Sequence, residues 1–381
     1  MACCVSIIIP VCDRGQILEK TLDAVFRQTL RDIEVIVVDD GSDDNTGKVV
    51  KEYQSAHPNL LLCATEHPGP GGAKTAGLER ARGEYVAFLA PGDWVPETAY
   101  EKMYRAAQER EADIVVGEYL EKDGEGQWLP LPQLQALRQR FGEGNCAENG
   151  AVVIAAQDPN CWNKMFRKSL LEAHKISFPS AQMAEDILFT TSAFEHAKGV
   201  CLLDEVVCMR QAHESGADSA ASPEVIDSGL AVMKDLGLRF HERGMVEEQE
   251  SILESSLRSV LERFCRMPEG REKARVFESI KDYVSLYRGL SEYQPTLRYL
   301  FGMDLDTMLA LPYYTYEKCK ERIPAAPAFV VEAEGDEQPA GWAVDPKEVV
   351  LNLFREGQIG LRYVWKYFVA WLKFKLRGKP S

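Results

Sequence analysis

The sequence predicts an α/β fold: a mostly parallel sheet flanked by helices, followed by a helical C-terminal region. Three observations carry that reading. Short β-branched runs recur through the first 120 residues, helical stretches separate them, and polar turns close three of the runs. Strands that alternate with helices at this spacing form a sheet covered on both faces.

The elements follow in order. Residues 5–11, Val-Ser-Ile-Ile-Ile-Pro-Val, read as a buried strand that stops near Pro10. Residues 15–29 place Ile17, Leu18, Leu22, Val25 and Phe26 at helical spacing. Residues 33–38 form a second strand, Asp39 to Asp44 is a polar break, and a helix begins near Asn45. Residues 60–65 are a third strand, Gly69-Pro70-Gly71-Gly72 a turn and residues 73–82 a helix. Residues 85–89 are a fourth strand, 97–111 a helix and 113–117 a fifth strand.

Beyond these, residues 121–160 are irregular and rich in Gly, Gln and Glu, and 161–215 regain mixed patterning. Residues 223–322 read as helical, with Ile252, Leu253, Leu257, Val260, Leu261 and Phe264 at suitable spacing. The proline-bearing stretch 324–345 reads as a linker. Residues 349–377 are aromatic and basic, with Trp365, Tyr367, Phe368 and Trp371 among Arg362, Lys366, Lys373 and Lys375. This tail reads either as a peripheral contact to an anionic membrane or as a terminal helix packed on protein.

Bulk properties exclude several classes. The chain has 381 residues, 45% hydrophobic and 27% charged, which is ordinary globular composition for two or three domains. A net charge of −15 argues against nucleic-acid partners, which need basic surface to displace counterions. The ten cysteines are scattered without a CxxC pair, so they read as free thiols in a reducing cytosol. No basic-then-apolar leader and no uncharged apolar stretch of about 20 residues is present. The expected location is therefore the cytoplasm, with the tail placing it at the inner face of the cell membrane if it binds lipid.

The chemistry lies in three polar clusters that follow three strands: Pro10-Val11-Cys12-Asp13-Arg14, Asp39-Asp40-Gly41-Ser42 and Ala90-Pro91-Gly92-Asp93-Trp94. In a parallel sheet such loops emerge at one edge and can converge on one ligand. A carboxylate there can hold a base or ribose through its acceptor oxygens, and another can coordinate Mg²⁺ or Mn²⁺. The plainer reading makes each Asp-Gly pair a turn. Two other nucleotide motifs fail. A P-loop needs Gly where Ala73 precedes Lys74, and the loop after the first strand lacks G-x-G-x-x-G.

Together, Val5-Ser6-Ile7-Ile8-Ile9-Pro10, Val37-Val38-Asp39-Asp40-Gly41-Ser42, Gly72-x-x-x-x-Gly77 and Phe88-Leu89-Ala90-Pro91-Gly92-Asp93-Trp94 resemble family 2 glycosyltransferases of the Rossmann-like GT-A fold. The resemblance implies an inverting enzyme that moves one sugar from a nucleotide-sugar, a UDP-sugar foremost, to a glycan or lipid-linked acceptor in cell-surface polysaccharide biosynthesis. It implies nucleotide binding by Pro10, Val11, Asp13, Asp39, Asp40, Gly41, Ser42, Lys74 and Gly77. It assigns the Mg²⁺ or Mn²⁺ to Asp93, because Ala90 and Gly92 stand where the family commonly carries further acids. By the same resemblance, Cys161-Trp162-Asn163-Lys164 and Ala184-Glu185-Asp186 are acceptor-side motifs. Asp186 is then the catalytic base, Trp94, Trp162, Asn163, Lys164 and Glu185 contact donor or acceptor, and His213 helps hold metal or phosphate. The Gln-x-x-Arg-Trp motif of processive synthases is absent after Gln211, which favours transfer of a single sugar.

The implied organisation is a nucleotide-sugar half (1–120), an acceptor half (121–220), a helical domain (221–323), the linker (324–345) and the tail (346–381). The reduced acidic motif keeps a second reading open, a nucleotide-sugar-binding protein impaired in catalysis. A nucleotidyltransferase is the third, without the glycine-rich loop it would need after the first strand.

Overall fold

The computed structural model describes residues 3–65, 69–122, 128–130, 145–146, 159–179, 181, 183–211, 222–242, 260–261, 263–264 and 266–290. His213, the linker and the basic aromatic tail lie outside the described residues. The chain divides into two compact units. The first holds the described residues through Leu236, the second 237–242 and those from 260 onward.

In the first unit, β1 (Val5–Val11) and β2 (Ile33–Asp39) bury almost every residue, which is why both are near-continuous β-branched runs. Around them lie α1 (Gly15–Phe26), α2 (Thr46–Ala56), β3 (Leu60–Ala64), α3 (Pro70–Arg80), β4 (Tyr85–Phe88) and α4 (Ala99–Glu109). Then come β5 (Ile114–Lys122), β6 (Trp128–Pro130), β7 (Asn145–Cys146), β8 (Lys164–Arg167), α5 (Lys168–Ala173), α6 (Glu185–His196) and β9 (Val200–Gln211). The helix α7 (Pro223–Glu242) begins in this unit and ends in the second, which also contains α8 (Arg271–Leu290).

The strands form one sheet in the order β3-β2-β1-β4-β8-β5-β9-β7, with β6 on β5. β3, β2, β1 and β4 are parallel neighbours. β8 is antiparallel to both β4 and β5, so β5 and its parallel partner β9 run with the first four. The sheet is thus mostly parallel, as expected, but the fifth strand is separated from the fourth by β8. That strand is only Lys-Met-Phe-Arg, too short and too charged to stand out as a buried run.

In the second unit, Phe264 and Phe277 stack at 5.9 Å between ring centroids, and Val276, Ile280 and Val284 are buried with them. Lys273 is buried beside this pair and donates to Glu269 at 2.7 Å.

Helix α3 lies against β1 and β2. A Cβ on Gly77 would fall 2.4 Å from Ile8 Cγ2 and 3.1 Å from Val38 Cγ2. Gly77 therefore lets the helix approach the sheet and packs in the core. Ala at this position overpacks the interface and should lower stability by about 1–3 kcal/mol, read as a shift in urea midpoint at constant slope.

At the opposite strand ends, Ser6 Oγ donates to Glu34 Oε1 at 2.5 Å and accepts the Gly83 N–H at 2.8 Å. Arg82 donates its N–H to Glu34 Oε1 and its Nε–H to Oε2. Burial pushes the Glu34 carboxyl up, but the bonds from Ser6 and Arg82 outweigh it and hold the pKa below the ordinary value. A lowered folded pKa adds stability above the unfolded value of about 4.3, which is lost as pH falls through the lower folded value. Glu34→Gln should cost about 1–3 kcal/mol at pH 7, and the gap from the wild type should narrow in denaturation measured below about pH 4.

Candidate active site

The first two clusters interlock at the C-terminal ends of β1 and β2. Asp13 takes a left-handed backbone, φ 51°, uncommon for a residue with a side chain. Its Oδ1 accepts the N–H groups of Asp43 at 2.7 Å and Asp44 at 3.2 Å, while its own N–H donates to Ser42 Oγ at 3.0 Å. Asp44 accepts the Gly15 N–H at 3.0 Å and the Thr46 N–H at 2.8 Å, joining the starts of α1 and α2. Asp39 Oδ1 accepts the Ser42 N–H at 2.9 Å around Gly41, whose φ of 77° suits glycine. Asp39 Oδ2 has no hydrogen bond from the described residues. Pro10 is half-buried, and Val11 is buried and contributes its carbonyl to the Asp40 N–H at 2.8 Å.

Asp40 Oδ2 accepts the Gly69 N–H at 2.8 Å, which ties β2 to the start of α3. Burial pushes the Asp40 carboxyl up; the Gly69 bond opposes this, and the Asp39 charge adds to it.

One turn into α3, Lys74 is buried and points to α6. Its Nζ lies 3.0 Å from Glu185 Oε1 and closer still to Asp186 Oδ1. Burial alone would lower the Lys74 pKa, but Asp186 and Glu185 outweigh it and raise it. The expected nucleotide contact is thus engaged with the two acids. Both acids occupy the first turn of α6, where the helix dipole favours negative charge. The preceding Ala184 is left-handed at φ 63°. Cys161 is buried, and burial first, then the Asp186 charge, push its thiol well up.

The third cluster is organised differently from the expectation. The Asp93 side chain is 0% exposed, and both its oxygens are taken. Oδ2 accepts the Ala90 N–H at 2.9 Å, and Oδ1 accepts from Arg210 Nε at 3.2 Å. Thr21 on α1 donates to the Asp93 carbonyl at 2.9 Å and accepts the Gly92 N–H at 2.8 Å, locking the loop. Trp94, partly exposed, pairs its backbone with Met209 of β9. The Arg210 guanidinium lies 3.6 Å over the Trp162 ring, so Arg210 and not a sugar covers that face.

Asn163 and Lys164 are both buried. Asn163 Nδ2 donates to the Gly117 carbonyl at 3.0 Å, and its Oδ1 accepts from Lys164 Nζ at 2.9 Å. Lys164 is therefore no surface charge. The sequence assigned no role of its own to Arg210, or to Cys161 beyond its place in an acceptor-side motif. The signal for Arg210 was a basic residue at the end of an apolar strand, opposite a lone acid that needs a counter-charge once buried.

The family resemblance implies Mg²⁺ or Mn²⁺ at the third cluster. The residues there do not fit it. Ala90 and Gly92 offer no side-chain oxygen, and Asp93 would have to release Arg210 and the Ala90 N–H to bind a cation. No group of three or more His, Cys, Asp or Glu among the described residues is disposed to hold a metal ion. In this structure Asp93 is a buried ion-pair partner of Arg210. No helix among the described residues is long and apolar enough to cross a membrane.

Comparison with known proteins agrees with this geometry. Residues 6–174 match the family model "Glycosyl transferase family 2". The putative glycosyltransferase EpsH of Bacillus subtilis is 26% identical over 284 residues, covering 73% of this chain and 81% of EpsH. The poly(ribitol-phosphate) beta-N-acetylglucosaminyltransferase TarP of Staphylococcus aureus is 31% identical over 202 residues, covering 51% of this chain and 58% of TarP. Among solved structures, S. aureus TarS 1–349 in complex with UDP superposes with a TM-score of 0.61 at 21% identity, covering 82% of this chain and 91% of that one. The same fragment is known with UDP-GlcNAc bound, at a TM-score of 0.60 and 20% identity, covering 84% and 89%. These likenesses in structure establish the fold, which is mixed α/β as expected. The family match, residues 6–174, runs from the first strand through the helix after β8.

Proposed function

We propose that the chain is a glycosyltransferase that moves one sugar, with inversion, from a nucleoside-diphosphate sugar to a hydroxyl of a glycan or lipid-linked acceptor. The proposed setting is cell-surface polysaccharide biosynthesis; the relative TarP is by name a poly(ribitol-phosphate) beta-N-acetylglucosaminyltransferase, whose acceptor is a polymer. One observation carries the reading. Asp39, with an oxygen open to a ligand, and Asp186, at the head of α6, stand at the same sheet edge, linked through Asp40, Gly69 and Lys74.

The roles follow from chemistry. Asp39 Oδ2 is an acceptor suited to a base N–H or ribose hydroxyl. Asp186 is the base: its carboxylate takes the proton from the acceptor hydroxyl as that oxygen attacks the anomeric carbon. The sugar–phosphate bond breaks on the opposite side, and the nucleoside diphosphate departs with the electron pair. Lys74 does not touch substrate in this scheme; it is a positioning residue that orients Asp186. The UDP-bound TarS structures make a uridine donor the first to test.

A second reading is favoured by Ala90, Gly92 and the occupied Asp93: a protein that binds the nucleotide-sugar without turning it over. Loss of a positioned base typically costs about 10²–10⁴-fold in rate. Asp186→Asn should therefore reduce kcat for sugar transfer by that order and leave donor Kd nearly unchanged; a variant with wild-type kcat removes Asp186 from the mechanism. In thermal melts, a bound nucleoside diphosphate at about 100 times its Kd should add about 2.7 kcal/mol and raise Tm by several degrees. A panel in which no nucleotide moves the melt would leave the donor assignment without support.

A further inference from the structure

The disagreement between the third cluster and a metal ion points to a different source of positive charge. We propose that in this chain Arg210 receives the donor diphosphate directly, in place of a carboxylate-held divalent cation. The inference rests on the nucleotide-sugar reading above and deepens it at that same site.

Arg210 stands at the end of β9, which runs in the direction of β1, β2 and β4, so its head group lies at the edge where their loops emerge. Backbone pairing of Trp94 with Met209 fastens this strand end to the loop after β4, where a strand-end acidic motif would otherwise sit. The guanidinium is fixed on two sides: its Nε donates to Asp93, and its face rests on Trp162. Its terminal nitrogens, Nη1 and Nη2, make no hydrogen bond to the described residues. A planar fork held this way presents paired N–H donors that match two phosphate oxygens. The side chain is 13% exposed, enough to be reached yet poorly screened by water.

Asp93 keeps the guanidinium in position and cannot compete for the ligand, because both its oxygens are satisfied away from solvent. Trp162, expected from the resemblance to contact donor or acceptor, is the surface on which the arginine lies.

Calorimetric titration of the full chain with UDP and with uridine, in EDTA and in Mn²⁺, tests this. UDP should bind in EDTA within about threefold of its affinity in Mn²⁺. Arg210→Gln should weaken UDP by about 10- to 100-fold, the range for losing hydrogen bonds to a charged group, and leave uridine unchanged. Retained uridine binding also shows that the variant is folded. If it does not fold, Arg210→Lys keeps the charge without the fork and should give an intermediate loss, while the EDTA comparison on the wild type stands alone. UDP binding that appears only with Mn²⁺ while uridine binds without it overturns this proposal and spares the donor reading, as does full UDP affinity in Arg210→Gln. Failure of every nucleoside and nucleoside diphosphate to bind, with or without metal, overturns both.

Discussion

A buried ammonium set between two carboxylates holds the two sides of the site together. Lys74 belongs to α3, which packs on β1 and β2, and Glu185 and Asp186 head α6. Removing one member of such a buried pair typically costs about 3–5 kcal/mol, because the remaining charge has no water to turn to. The surroundings make that cost real: Phe178 and Phe189 stack at 3.9 Å and meet Phe88 edge-on, and Lys74 itself lies 5.1 Å from the Phe178 ring. This apolar wall fixes how far α6 stands from the strand ends, and so where the Asp186 carboxylate sits. The left-handed Ala184 is consistent with that demand, since the chain accepts an unfavourable backbone to begin the helix there.

A second constraint follows from charge. Asp13, Asp39, Asp40, Asp43, Asp44 and Asp93 crowd one edge of the sheet, where mutual repulsion would splay the loops. Most of this charge is turned inward. Asp13, Asp39, Asp40, Asp44 and Asp93 each accept at least one backbone N–H, so the acids act as loop clamps before they act on any ligand. Charge-assisted bonds of this kind are stronger than neutral ones and define a single loop geometry. Of the two Asp39 oxygens, only one is used this way among the described residues.

These facts explain what could be read from the residues alone. The parallel half was legible because strands buried on both faces are written in β-branched runs, and Val5–Val11 and Ile33–Asp39 have little else. The position of β8 was not, because a four-residue strand with charged ends carries no periodicity. Acids at strand ends were legible as a cluster, but residue type does not reveal which carboxylate clamps a loop with both oxygens, as Asp93 does, and which uses one, as Asp39 does among the described residues. A glycine that admits a helix to a sheet and one that admits a phosphate look alike in sequence, and only Ile8 and Val38 behind Gly77 show its packing role. Lys74 and Arg210 depend on partners far along the chain, Asp186 and Asp93, which no local pattern connects.

The Arg210 arrangement also bears on how the two halves of the domain cooperate. A divalent ion held by the loop after β4 would arrive with the donor and keep part of its water. A guanidinium arrives with the fold. It is carried by β9, which follows α6 in the chain, yet it pairs with an acid of the loop after β4. Asp93 orients a charge contributed by a distant strand. Lys74 makes the reciprocal connection, a cation of α3 holding two acids of α6. Two crossed ion pairs of opposite sense resist separation of the halves more than either alone, since parting them would leave charges uncompensated on both sides.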